Sequence, residues 1–132
     1  MLKTGIFHPQ LSRVLAELRH MDTLVIGDAG LPIPKGVERV DLGWKEGSPH
    51  YLEVLEAIAD CMVIEAATFA SEAKEVSPDI NNTAIALLPE GIPIDYVPHV
   101  ELKKMTENAK AIILTGEFTG YTNVILRCGC AY

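Results

Sequence analysis

The sequence predicts a single α/β domain in which helices cover both faces of a sheet. Its 132 residues are enough for one domain. Segments with apolar residues three and four positions apart alternate with short runs of β-branched residues. That alternation is typical of a sheet with helices packed against it. We therefore expect residues 1–132 to form one domain without a linker.

The first half of the chain is expected to run helix, strand, helix, strand. Apolar residues at helical spacing predict a helix from Pro9 to Arg19, and a β-branched run predicts a strand from Thr23 to Ile26. Ser48-Pro49, a hydroxyl residue followed by proline, predicts the start of a second helix. The buried stripe of this helix is predicted to be Leu52, Leu55, Ala59 and Met62. A strand is predicted to follow from Met62 to Phe69.

The second half continues the alternation. Ser77-Pro78 repeats the helix-start signal, and the Pro89-Glu90-Gly91 turn ends that helix. Alternating Ile92, Ile94 and Tyr96 predict a strand, and a charged helix is expected from about His99 to Asn108. The last two predicted strands are Ala111 to Leu114 and the run VILRC at 124–128, separated by the polar loop TGEFTGYTN.

Composition excludes several classes of partner. A net charge of −7 argues against nucleic acid, which is bound largely by Lys and Arg. The longest apolar runs fall far short of the ~18 residues of a membrane-spanning helix. Three cysteines do not form a disulfide framework, and no secretory signal is evident, so a cytoplasmic protein is expected. Because 48% of the residues are hydrophobic, apolar surface is expected between subunits.

Polar residues follow several predicted strands, where ligands of α/β sheets bind. Asp28 follows TLVIG and His99 follows IDYVP. Thr115-Gly116-Glu117, with Tyr121 and Asn123, follows AIIL. His20 is eight positions from Asp28, so that a tight connection could bring both to one site. Each also has a structural interpretation: His20 could cap the first helix, Asp28 could serve the turn, and His99 could cap the helix after it.

Other chemistry has little support in the sequence. Cys128-Gly129-Cys130 lacks the Cys-x-x-Cys spacing of redox and zinc sites. His20, Asp28 and His99 include suitable metal ligands but no diagnostic spacing, and we predict neither a metal nor a cofactor. Walker, Rossmann and nucleophile-elbow motifs are absent.

Two segments resemble a known family. HMDTLVIGDAGLPIP (20–34) and TGEFTGYTNVIL (115–126) look like the signatures of the D-ribose pyranases, to which the fucose mutarotases are related. The resemblance extends over the PQLSRVLAEL helix, the VDLGWKEGSP connection and the terminal strand, and so spans the whole chain.

This resemblance implies a cytoplasmic isomerase that interconverts the β-pyranose and β-furanose forms of D-ribose without a cofactor. By position, His20 would donate a proton, whereas the sugar would be held by Asp28, His99, Tyr121, Thr122 and Asn123. Members form ring-shaped homo-oligomers, commonly decamers, with sites near subunit boundaries.

Elementary chemistry is consistent with that implication. Opening a cyclic hemiacetal requires a proton for the ring oxygen and removal of the anomeric hydroxyl proton, and histidine exchanges protons near neutrality. We expect Asp28 to orient His20 or to bind a sugar hydroxyl, with water or His99 as the base. The alternatives are L-fucose mutarotation and a non-catalytic sugar-binding subunit.

Overall fold

The computed structural model describes residues 1–132 and contains one six-stranded sheet with helices on both faces. The helices are α1 (Pro9–Glu17), α2 (Tyr51–Ala59), α3 (Ala73–Val76), α4 (Pro78–Ala86) and α5 (His99–Met105), with a 3₁₀ turn at Thr106–Asn108. The strands are β1 (Thr23–Gly27), β2 (Glu38–Asp41), β3 (Ile64–Ala70), β4 (Ile94–Val97), β5 (Ala111–Leu114) and β6 (Val124–Cys128). None of the helices has the length and apolar character needed to cross a membrane.

The strand order is β2-β5-β1-β6-β3-β4. The pairs β1/β5, β2/β5 and β3/β4 are parallel, whereas β6 is antiparallel to both β1 and β3. Five strands therefore point the same way, and β6 alone runs against them. We call the edge where these five strands end and β6 begins the carboxyl edge, and the opposite one the amino edge.

Alternating side chains of the central strands fill two separate cores, as the pleat of a sheet requires. Leu24 and Ile26 of β1 join a cluster of 20 buried residues beneath α1, α2 and α4. Val25 points to the other face and joins a smaller cluster that includes Leu102 of α5. The prediction of helices on both faces is thus confirmed, with the larger core on the α1/α2/α4 face.

Most predicted elements are present, with shifted ends. The second helix begins at Tyr51 instead of Ser48, because Ser48 lies in a turn in which its N–H donates to Lys45 and its carbonyl accepts from Trp44. The buried residues of α2 are Tyr51, Val54, Leu55 and Ile58. Of the residues predicted to form the buried stripe, only Leu55 is fully buried. Leu52, Ala59 and Met62 are half-buried and pack against the edge of the larger core.

Two elements were not predicted. Strand β2 exposes Arg39 and Asp41 and buries only Val40, so it lacks the apolar run that marks the other strands. Helix α3 is four residues long, too short for a helical period to show in the sequence.

Candidate functional site

The carboxyl edge brings together four of the six predicted site residues through one buried amide. The backbone N–H of Asp28 donates to Asn123 Oδ1 at 3.1 Å, and Asn123 Nδ2 lies 3.4 Å from His99 Nε2. The ring of Tyr121 meets that of His99 edge-on, with centroids 5.1 Å apart. Asn123 is only 1% exposed, so its amide is a rigid link between the end of β1 and the start of α5.

The hydrogen bonds of Asn123 determine the tautomer of neutral His99. The N–H of Asp28 can only donate, which places Oδ1 of Asn123 against it and turns the Nδ2 group toward His99. His99 Nε2 must then accept, so neutral His99 carries its proton on Nδ1. The imidazole thus offers a defined N–H donor at Nδ1 to a ligand.

Gly27 makes the close approach of β1 and Asn123 possible. A Cβ on Gly27 would lie 2.8 Å from Asn123 Oδ1 and 2.6 Å from Leu31 Cδ2, well inside van der Waals contact. The last residue of β1 therefore has to be glycine for Asn123 to reach Asp28.

Asp28 closes its turn with its side chain and contacts the cluster through its backbone N–H, so its interpretation as a turn residue is confirmed. Its Oδ1 accepts from the N–H of Gly30 at 3.0 Å, which closes an Asx turn. Burial raises the pKa of Asp28, although hydrogen bonds from Gly30 and Asn123 and the nearby His99 oppose that effect. The carboxyl group is therefore held closer to neutrality than a solvated aspartate.

The loop before β6 presents Tyr121 in an unusual backbone conformation. Its φ of +64° is in the left-handed region, which costs a non-glycine residue on the order of 1 kcal/mol. Thr122 Oγ1 donates to the carbonyl of Thr119 at 2.7 Å, so this hydroxyl is used within the loop. Thr122 precedes Asn123 of the cluster and is itself only 3% exposed.

Glu117 anchors this loop, a role that its position after the AIIL strand did not indicate. Its carboxylate accepts from Thr119 Oγ1 at 2.9 Å and from His50 Nδ1 at 3.1 Å, and it also faces the N–H of buried Tyr51. Its carbonyl accepts from the N–H of Ala29 at 2.8 Å. Burial would raise the pKa of Glu117, but the bonds from Thr119, His50 and Tyr51 outweigh burial and hold it below its ordinary value.

A cleft of about 330 Å³ opens between the 28–30 turn and this loop. Asp28, Gly30, Glu117, Phe118 and Gly120 line it. The volume lies in the range of sites that hold small molecules, roughly 300–1,000 Å³. No charged Lys or Arg side chain lines the cleft, which suits a neutral ligand better than a phosphate.

His20 lies at the amino edge, so the prediction that a tight connection brings it to Asp28 is wrong within one chain. His20 precedes β1 and Asp28 follows it, and five residues of strand span about 17 Å. Capping of α1 is also not its role, because Arg19 Nη1 donates to the carbonyls of Ala16 and Leu18. His20 Nε2 instead bonds Glu65 Oε2 at 3.2 Å.

His99 does not cap α5 with its side chain. The carboxylate of Glu72 accepts from the N–H of His99 at 2.9 Å, which satisfies one free N–H group in the first turn of that helix. The imidazole of His99 is thereby left to the carboxyl-edge cluster. His8 caps α1, because its Nδ1 accepts from the N–H of Leu11.

Around His20 the surface is apolar. A groove of about 460 Å³ there is lined by twelve residues, nine of them hydrophobic, and Met21 and Val63 nearby are exposed. Cys61 and Cys130 are exposed and Cys128 is buried; all three are free thiols. No three His, Cys, Asp or Glu side chains are grouped as metal ligands, and His20 is far from Asp28 and His99.

The chain is similar to known proteins over its whole length. The chain matches the RbsD / FucU transport protein family over residues 1–131. It is 48% identical to the D-ribose pyranase of Laribacter hongkongensis over 132 residues, 100% of both chains. The structure of Bacillus subtilis RbsD complexed with D-ribose covers 100% of both chains at 39% identity, with a TM-score of 0.95.

A second solved structure represents the fucose branch. The fucose mutarotase of Streptococcus pneumoniae in complex with L-fucose is 26% identical, with a TM-score of 0.78, and covers 99% of this chain and 100% of its own. The predicted α/β fold and the resemblance seen in residues 20–34 and 115–126 are confirmed by these matches. The chain belongs to the RbsD / FucU family.

Proposed function

We propose that this protein is an isomerase that interconverts the β-pyranose and β-furanose forms of D-ribose. The observation that carries the proposal is the carboxyl-edge cluster, in which Asp28, His99 and Asn123 are locked beside a small-molecule cleft without a cation in its lining. Similarity to a D-ribose pyranase and to RbsD complexed with D-ribose supports the choice of sugar.

The chemistry needs only proton transfer. In the proposed reaction His20 protonates the ring oxygen as its bond to C1 breaks, while the anomeric hydroxyl loses its proton and becomes the aldehyde. The hydroxyl on C4 then attacks C1 and loses its proton, the carbonyl oxygen regains one, and the five-membered ring is closed. General acid–base catalysis of this kind contributes roughly 10²- to 10⁴-fold. No metal or cofactor takes part in these steps.

The proposed sugar contacts follow the cluster. Asp28 binds a sugar hydroxyl. It does not orient the His20 of its own chain, because the length of β1 separates the two residues. His99 donates from Nδ1, and Tyr121 and Asn123 hold the remaining hydroxyls. Thr122 contributes through its main chain, because its hydroxyl bonds Thr119. Water accepts the anomeric proton, because His99 Nε2 already accepts from Asn123 and its Nδ1 carries a proton.

We further propose that the acid comes from a second copy of the chain. The apolar groove beside His20 provides a surface that a neighbouring copy could cover, and that copy would bring its carboxyl edge to His20. The resemblance implies a ring of ten chains. Light scattering should then give ten times the 14.4 kDa of one chain. An active monomer would overturn the shared site.

Mixing two inactive variants tests the shared site directly. His20→Ala and Asp28→Asn should each lack activity, but assemblies formed from both regain some sites that combine an intact His20 with an intact Asp28. Mixing with no recovery, although the two chains co-assemble, would place both residues in one chain's site.

Exchange NMR tests the activity. Pyranose–furanose exchange of D-ribose should accelerate with the protein and return to the buffer rate in His20→Ala. Faster anomer exchange of L-fucose with no effect on ribose would favour the fucose mutarotase, whose structural match is weaker here. Sugar binding without faster exchange of either sugar would indicate a binding subunit.

We also propose a cytoplasmic location. Two exposed free thiols, Cys61 and Cys130, are compatible with a reducing compartment. Cell fractionation with an antibody to the chain tests this, and recovery in an extracellular fraction would contradict it.

A further inference from the structure

Three side chains at the amino edge form a chain of ionisable groups that begins with His20 and continues through Glu65 to Arg127. Glu65 places one carboxylate oxygen 3.2 Å from His20 Nε2 and the other 2.9 Å from Arg127 Nε. The three residues belong to different segments: His20 precedes β1, Glu65 is in β3 and Arg127 is in β6.

Glu65 occupies an irregular position of the sheet. Ile64 pairs with Cys128 and Ala66 with Arg127, so β3 advances by two residues where β6 advances by one. Glu65 is the extra residue of this β-bulge. Bulges re-aim side chains and are frequent beside functional sites. Here the bulge accompanies a carboxylate that is directed at His20.

Fold stability alone does not account for this arrangement. The side chains of His20 and Arg127 are about half exposed, at 52% and 47%. Ion pairs between exposed groups contribute only about 0–1 kcal/mol. A bulge that interrupts the ladder is therefore poorly explained by the stability of the pair that it creates.

We propose that Glu65 is a positioning residue that fixes the tautomer and orientation of His20, with Arg127 holding the carboxylate in place. This inference rests on the proposed function, in which His20 is the acid. A carboxylate only accepts hydrogen bonds, so neutral His20 carries its proton on Nε2. Nδ1 then faces away from Glu65, and protonated His20 delivers its proton to the sugar from Nδ1.

Replacement of Glu65 by glutamine makes a sharp prediction. Arg127 can only donate, so it takes the amide oxygen of Gln and leaves the NH₂ group facing His20 Nε2. That nitrogen must then accept, and the proton of neutral His20 moves to Nδ1. Glu65→Gln should therefore invert the tautomer of His20, with almost no change in side-chain size.

Two readouts test the inference. Solid-state ¹⁵N NMR of histidine-labelled protein at about pH 8.5, where free imidazole is neutral, should show Nε2–H for His20 in the wild type and Nδ1–H in Glu65→Gln. His20→Ala assigns the signal. His50 serves as an internal reference, because Glu117 faces its Nδ1 in every variant. The exchange rate at saturating D-ribose should fall roughly 10- to 100-fold in Glu65→Gln, part of the 10²–10⁴ of acid–base catalysis.

Controls separate positioning from other effects. Glu17→Gln removes an exposed pair with Arg13 and should leave tautomer and rate unchanged. The ribose concentration for half-maximal rate should stay within about twofold in Glu65→Gln, because the proposed sugar contacts lie mainly at the other edge.

The outcomes distinguish this inference from the proposed function. An unchanged tautomer, or an inverted one with exchange within about twofold of wild type, overturns the positioning role while His20→Ala still abolishes exchange. Full exchange in His20→Ala overturns the acid assignment, and the inference with it. An inverted tautomer with slow exchange supports the inference.

Discussion

Glu117→Gln should destabilise the protein even though it changes one atom. One carboxylate oxygen accepts a hydrogen bond from the Thr119 hydroxyl. The other accepts from His50 Nδ1 and from the backbone N–H of Tyr51. An amide has one acceptor oxygen. If this oxygen keeps Thr119, the NH₂ group faces the N–H of Tyr51, a residue that is 1% exposed. His50 can exchange tautomers and adapt, but the backbone N–H cannot.

A buried donor left without an acceptor costs about 1–3 kcal/mol. For a domain of this size we expect a loss of about 4 °C in Tm per kcal/mol, hence a decrease of roughly 4–12 °C. Differential scanning calorimetry at pH 7 and matched protein concentration measures it. Glu56→Gln on α2 is the control, because this exposed carboxylate makes no side-chain hydrogen bond.

The effect of Glu117→Gln on the Tm should also depend on pH, in a direction that the pKa of Glu117 determines. Hydrogen bonds hold the pKa of Glu117 below its ordinary value, so its carboxylate stabilises the fold above the unfolded-state pKa. That contribution is lost as pH falls through the folded-state pKa. The Tm difference between wild type and Glu117→Gln should therefore shrink below about pH 4.3. A Tm within about 1 °C of wild type at pH 7 would refute the reasoning, as would a gap that widens in acid.

Three further predictions concern residues of the same edge. Asp28→Asn should lower the rate of ribose exchange by at least about 100-fold. It should not lower the Tm at pH 7, because burial raises the pKa of Asp28 and the charged carboxylate therefore destabilises the fold above that pKa. A marked loss of Tm would contradict this. Gly27→Ala should slow exchange more than about tenfold, since its Cβ would meet Asn123 Oδ1; normal exchange kinetics would show that Asn123 is free to move. Gly116→Ala should cost more than about 2 kcal/mol by urea unfolding, as its Cβ would lie 2.5–2.6 Å from backbone atoms of Lys45 and Ser48, and an unchanged midpoint would be the contrary result.

The parts of the fold that the sequence predicted best are those whose residues are buried on both faces. Both Ala111–Leu114 and Val124–Cys128 were predicted as strands. The first is buried at every residue and the second at every residue except Arg127, and such short apolar runs are typical of strands inside a sheet. Strand β2 was not predicted, because this edge strand with exposed Arg39 and Asp41 is stabilised by pairing with β5. The pairing joins residues distant in sequence, so the sequence of β2 alone does not indicate it.

The site divides in the same way. Asp28, His99 and Asn123 were predicted from their places at strand ends, and parallel β1 and β4 bring two of them to one edge without further information. Glu117 also follows a predicted strand, but its role as an anchor could not be predicted, because its partners His50 and Tyr51 are 67 and 66 positions away. The position of His20 was predicted wrongly for a different reason. His20 and Asp28 are close in sequence, but the extended strand β1 lies between them and holds them at opposite edges of the sheet.

That extended span has a consequence for the proposed activity. A pentose is much shorter than the roughly 17 Å between the ends of β1, so within one chain the sugar contacts of Asp28 and the proton of His20 cannot serve the same molecule. If neighbouring copies share their sites, every chain contributes His20 to one site and its carboxyl-edge cleft to another. In a closed ring every site is then complete. Activity per chain should then fall on dilution below the dissociation constant of the assembly, while each chain keeps its fold. A site complete within one chain predicts a rate per chain that is independent of concentration, and a dilution series of the exchange rate separates the two.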